Sequence, residues 1–159
     1  MDIIIKTILI GVGATLLMDV WAQILKIFYI KSLDYRFVGR WIGYFFKGKY
    51  NHHKIFDSKP IKDEKLIGWI AHYSIGIVFA FLLIIIYGKS WLIKPTLFPA
   101  LVVGVLTIIA PFCIMQPAFG LGFASSKLPN ANILRFRSLL THLVFGLGLY
   151  LSALTLNLI

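Results

Sequence analysis

Apolar residues dominate four stretches of this chain, at 7–28, 66–87, 95–116 and 138–159, and each predicts a membrane-crossing helix. The hydrocarbon core is about 30 Å thick, which an α-helix covers in about 20 residues. Between the first two stretches, residues 33–47 read LDYRFVGRWIGYFFK, with Phe37, Val38, Trp41, Ile42 and Phe45 at helical spacing and Arg36, Arg40 and Lys47 elsewhere. That pattern predicts an amphipathic helix. Two placements suit it: in the cytoplasmic headgroup layer, where anionic lipid attracts each basic residue by about 1 kcal/mol, or packed against the mouth of the bundle. The fold class expected is all-α, a transmembrane four-helix up-down bundle with an additional cytoplasmic interfacial helix. The loops are too short for a second soluble domain, so residues 1–159 are expected to form a single integral membrane domain.

Polar residues inside the apolar stretches add detail. At about 100° per residue, Gly11, Thr15, Asp19, Ala22, Gln23 and Lys26 fall on one face of the first span, and the other faces are aliphatic. The second span repeats Gly68, His72, Gly76 and Ala80 at every fourth position, and the last repeats Ser138, His142, Gly146 and Tyr150. Gly76 and Gly146 either let helices pack closely or clear space for a ligand. In the third span Pro111 lacks an N–H, so the Thr107 carbonyl loses its helical donor and a kink is expected. Pro111 could serve packing or line a ligand-binding half-helix.

Composition agrees with the pattern: 59% of residues are hydrophobic and 14% charged, with a mean hydropathy of +0.87. Basic residues concentrate in two loops. Lys31, Arg36, Arg40, Lys47, Lys49, Lys54, Lys59, Lys62 and Lys65 lie in the first, and Lys127, Arg135 and Arg137 lie between the third and fourth spans. Lys6, Lys89 and Lys94 fall on the opposite side. The excess places the 30–65 and 117–137 loops in the cytoplasm and both termini outside. It also accounts for the net charge of +10 without nucleic acid as a partner. Asp2 and a lone Lys6 make a poor signal-peptide n-region, so the first helix is expected to be retained. Cys113 has no intrachain partner and reads as a small apolar core residue. The adjacent His52 and His53 read as solvated loop rather than metal ligands.

With that orientation Asp19 lies near mid-membrane, Gln23 about a turn closer to the cytoplasm, and His72, His142 and Gln116 at a similar level. Ionisable groups in lipid are costly, and they mark functional paths when present. In an up-down bundle the second and fourth helices are parallel and diagonal, so His72 and His142 could face one another.

The strings GVGATLLMDVW at 11–21, SLDYRFVGRW at 32–41, GWIAHYSIG at 68–76, PTLFPALVVG at 95–104, APFCIMQPAFGLGFASS at 110–126 and RSLLTHLVFGLGLY at 137–150 give the chain a family resemblance. It resembles the small bacterial inner-membrane proteins catalogued as domain of unknown function 2938, over nearly its whole length. The resemblance implies a polytopic four-helix membrane protein and supplies no activity, substrate or cofactor.

Three readings of function stand. Asp19, His72 and His142 could relay protons or hold a metal cation, with Gln23, Gln116 and the Thr107 carbonyl as neutral ligands. Alternatively, His72 and His142 could ligate a haem, with Gly76 and Gly146 clearing the ring and Arg135 and Arg137 meeting its propionates. In the third reading Asp19 pairs with a histidine only to fix helix register, and the 31–65 loop engages anionic lipid or a partner. The small residues equally suit a homo-oligomer. GLGFAS at 120–125 follows a membrane helix and lacks a third glycine, so it reads as a tight turn rather than a phosphate loop. Ser125 and Ser126 have no orienting acid, and no catalytic residue is assigned.

Overall fold

Seven α-helices carry the chain in a computed structural model that describes residues 2–30 and 32–158. They are α1 (Ile3–Ile27), α2 (Arg36–Phe45), α3 (Glu64–Tyr87), α4 (Ser90–Ile93), α5 (Leu97–Leu106), α6 (Gln116–Ala118) and α7 (Ala131–Leu158), with a π-helix at Ala110–Met115. Short 3-10 turns lie at Ile55–Asp57 and Phe123–Ser125, and no described residue lies in a strand. Four segments are long and apolar enough to cross a membrane: Ile3–Ile27, Glu64–Tyr87, Leu97–Ala118 and Ala131–Leu158. Lys31, counted among the basic loop residues, and Ile159, which closes the predicted fourth span, lie outside the described residues.

Helices extend beyond the hydropathy boundaries where local chemistry allows. Asp2 caps α1, its carboxylate accepting from the Ile4 N–H at 2.7 Å and the Ile5 N–H at 3.4 Å, so α1 begins at Ile3, ahead of the predicted span. A carboxylate there satisfies orphan amides and complements the helix dipole. At the other end of the chain, α7 takes in the polar turn ANILRFR ahead of the predicted span.

The chain divides into two compact units, the first comprising Met1–Ser32, Tyr73–Thr107 and Leu139–Ile159, the second Leu33–His72 and Ile108–Ser138. In the first, Ile10, Ala14, Ala80, Leu83, Trp91, Leu92, Ala100, Val103, Phe145, Leu149 and Ala153 form a buried core. Small residues set its helix spacings. A methyl group on Gly11 would lie 2.6 Å from Ile77 Cα, one on Gly104 2.7 Å from Gly146 Cα, and one on Gly148 2.7 Å from Ala14 Cα. Backbones approach this closely only where no side chain intervenes, and in lipid such contacts supply packing that hydrophobicity cannot. One end of the unit is tied by Lys6, whose ammonium donates to Leu92 O at 3.0 Å and to Asn157 Oδ1, while Asn157 Nδ2 donates to Leu92 O at 3.1 Å.

In the second unit Val38, Ile55 and Phe119 are buried, with Phe37, Trp41, Ile42, Met115 and Leu121 packed around them. The aromatic face of the amphipathic helix is therefore spent on packing within this unit. Arg40, on the basic flank of this helix, is 5% exposed. Its guanidinium grips the Glu64 carboxylate with two bonds of 2.8 Å and donates to Ser58 O at 2.8 Å, with longer bonds of 3.4 Å to Ile55 O and Phe56 O. The carboxylate holds the Arg40 pKa above its ordinary value. Gly39 and Gly68 bring α2 against the start of α3, where added methyl groups would lie 1.8 Å from Glu64 O and 1.9 Å from Tyr35 O.

The loop after α2 folds back rather than lying in solvent. The His52 N–H donates to Ala118 O at 2.8 Å and the Ile55 N–H to Phe119 O at 3.1 Å, which places His52 at 5% exposure and corrects its reading as a solvated residue. His53 is exposed. The His52 ring meets Tyr44 edge-on at 4.9 Å and its Nδ1 bonds Ser58 Oγ at 2.8 Å, whereas Nε2 is buried with no partner. Burial, reinforced by Lys49, pushes the His52 pKa below 6.5. Above the unfolded value both states are neutral and the contribution of His52 to stability is full. As pH falls below that value the unfolded chain takes up the proton first, and stability drops until the folded pKa is reached. Thermal melting between pH 7.5 and 5.5 should therefore show a falling melting temperature in wild type and a flatter profile in His52→Asn.

Candidate functional site

Ionisable groups within the apolar helices sit in both units. In the first, Asp19 on α1 accepts a hydrogen bond from the Tyr73 hydroxyl of α3 at 2.9 Å. A phenol carried into lipid needs a polar partner, and Tyr73, next to His72 in sequence, was not singled out by the pattern of residues. On α7, His142 Nδ1 lies 2.7 Å from Thr107 Oγ1, and that hydroxyl is 2.6 Å from Gly104 O. A carbonyl can only accept, so the single hydroxyl proton goes to Gly104 and Nδ1 must donate to Thr107. In the neutral form of the ring, that makes His142 Nε2 the unprotonated acceptor.

Local structure explains why these groups meet. Gly104 and Gly146 bring α5 within reach of α7, where the methyl group that Gly104 lacks would lie 2.6 Å from His142 O. Thr107 closes α5 because Pro111 cannot donate to its carbonyl. The space beside Gly76 is filled by Thr15, whose Oγ1 a methyl group there would approach to 2.0 Å, and that beside Gly146 by the backbone of Ala100 and Leu101. Gln23, assigned to the same inward stripe as Asp19, is exposed, as is Lys26.

The second unit holds His72 and Gln116. Tyr35 stacks on His72 with ring centroids 3.9 Å apart and planes 21° apart, and Trp69 meets it edge-on at 5.9 Å. Gln116 is buried and accepts from Ser125 Oγ at 3.1 Å. Its position depends on the π-helix, in which the Gln116 N–H reaches back five residues to Pro111 O. The wider turn inserts a residue and rotates the succeeding side chains by about 100° relative to an α-helix. Cys113, within that turn, is exposed rather than the core residue its small apolar character suggested.

The turn after α6 is tight and left-handed, with positive φ at Gly120, Gly122, Ala124 and Ser125. Arg135 Nε braces it by donating to Ala124 O at 2.9 Å. Among the described residues no group of three or more His, Cys, Asp and Glu side chains could hold a metal ion. The chemistry these arrangements offer is proton exchange at Asp19 and at His142 Nε2, each oriented by a neutral hydroxyl.

The family described as Protein of unknown function (DUF2938) matches residues 8–156. No curated protein and no solved structure matches the chain.

Proposed function

This chain belongs to that family of membrane-capable four-helix proteins, and we propose that it handles a proton, a cation or a small solute at ionisable groups within its apolar helices. One observation carries the reading: the Tyr73 hydroxyl donates to the Asp19 carboxylate at 2.9 Å between two apolar spans. A carboxylate in lipid is retained against a cost of about 2.5–3.5 kcal/mol on insertion scales. Asp19 gains and loses the charge, and Tyr73 orients the carboxylate while keeping its own proton. His142, whose Nδ1 is held by the Thr107 hydroxyl, is the second exchange point in the same unit. The basic loops support a bacterial inner-membrane setting in which the termini face outward and the 30–65 and 117–137 loops face the cytoplasm.

Proteoliposomes with a pH-sensitive dye inside and a potassium diffusion potential across the bilayer test this directly. Wild type should carry protons, and Asp19→Asn should lower the rate at least tenfold with an unchanged melting temperature. Tyr73→Phe should shift the pH profile of the rate. Equal rates in wild type and Asp19→Asn, or no flux of protons or alkali cations in wild type, would overturn the proposal.

A further inference from the structure

Packing of the aromatic face of α2 inside the second unit moves the candidate lipid contact to the turn that succeeds the helix. Phe46 is 92% exposed and Tyr50 58%. Lys47 and Lys49 flank them, both exposed, with ammonium groups 5.2 Å and 5.6 Å from the Tyr44 ring centroid. The turn has a defined shape. The Lys49 N–H donates to Tyr44 O at 3.1 Å and the Gly48 N–H to Phe45 O at 3.0 Å, with Gly48 at a φ of +66°. These bonds form the left-handed C-terminal cap that glycine favours. Trp41 Nε1 donates to Tyr50 O at 2.7 Å, and the Phe45 and Tyr50 rings lie 5.2 Å apart, fixing the far side of the turn.

Charge identifies the occupant. Arg40 is paired with Glu64 within the unit and Arg36 with Asp34 at 2.8 Å on its surface, so each has an acidic neighbour. No acidic residue lies in 46–50, which leaves the charges of Lys47 and Lys49 beside an exposed phenylalanine. We propose that residues 46–50 dock onto anionic phospholipid, Phe46 entering the acyl boundary while Lys47 and Lys49 meet headgroup phosphates. Aromatic and basic groups in this combination suit the headgroup layer, where each contributes on its own side of the boundary.

Native mass spectrometry of the full chain in detergent, titrated with a phosphatidylglycerol or a phosphatidylcholine of the same acyl chains, tests the assignment. Wild type should retain phosphatidylglycerol preferentially. Lys47→Gln/Lys49→Gln should reduce that preference by about 25-fold, about fivefold per lysine. Lys54→Gln/Lys62→Gln, which removes the same charge from exposed positions in the same loop, should leave it intact. Phe46→Ser should weaken retention of both lipids. An unchanged preference in the first pair, or an equal fall in both pairs, overturns the proposal. A doubled mass in wild type that Phe46→Ser abolishes would assign the surface to a second copy of the chain and overturn it as well.

Discussion

Arg40→Met is expected to lower stability by about 3 kcal/mol, the lower end of the range for breaking a buried pair, because it leaves the half-buried Glu64 carboxylate without its counter-charge. The guanidinium joins α2, the loop through Ser58 and the first turn of α3, so its loss should loosen all three. Trypsin reports on this directly, since Lys54, which precedes Ile55, is exposed within the loop it holds. Cleavage there should become much faster in the variant, and the melting temperature in detergent should fall. Arg40→Lys should fall between the two, since an ammonium cannot reproduce the bidentate fork. Adding Glu64→Gln to Arg40→Met should recover part of the loss by removing the stranded charge. Cleavage and melting of Arg40→Met matching wild type would refute the role assigned to the pair.

Gly120→Val should be comparably damaging, at about 2–5 kcal/mol from left-handed strain and overpacking together. Gly120 has a φ of +85°, and a Cβ there would lie 1.8 Å from His53 O and 2.7 Å from His52 O. Those atoms belong to the main chain that pairs with Ala118 and Phe119, so the clash can be relieved only by parting the loop from α6. Gly48→Ala separates the two causes. Gly48 shares a positive φ, +66°, but nothing lies within 4 Å of the added carbon, so this variant should cost about 1 kcal/mol from backbone strain alone. Equal melting temperatures for the two variants would show that the contact with His53 carries no weight.

How much was legible in advance differs from residue to residue, for a common physical reason. Asp19, His72 and His142 stand out because an ionisable residue in an apolar run is conspicuous in any sequence. Tyr73 and Thr107 do not, since one hydroxyl in such a run carries no information until its partner is known. Pro111 announces an interruption, but a proline does not say whether the helix will break, bend or widen into a π-turn. His52 was misread because polar residues in a basic loop are solvated by default, and only the main-chain bond to Ala118, distant along the chain, folds the loop back and buries it.

Hydropathy is a sum over neighbours along the chain, and the insolubility of unpaired backbone groups in lipid turns that sum into helix. The number of apolar helices and the all-α class are therefore set by the linear order of residues. Which side chain meets which is a property of helix faces brought together by glycine contacts and of loops folded back by main-chain bonds. Those depend on atoms dozens of residues apart and on a single extra residue in a π-turn, so the pairing of Asp19 with Tyr73, of His142 with Thr107 and of Arg40 with Glu64 emerged only in three dimensions.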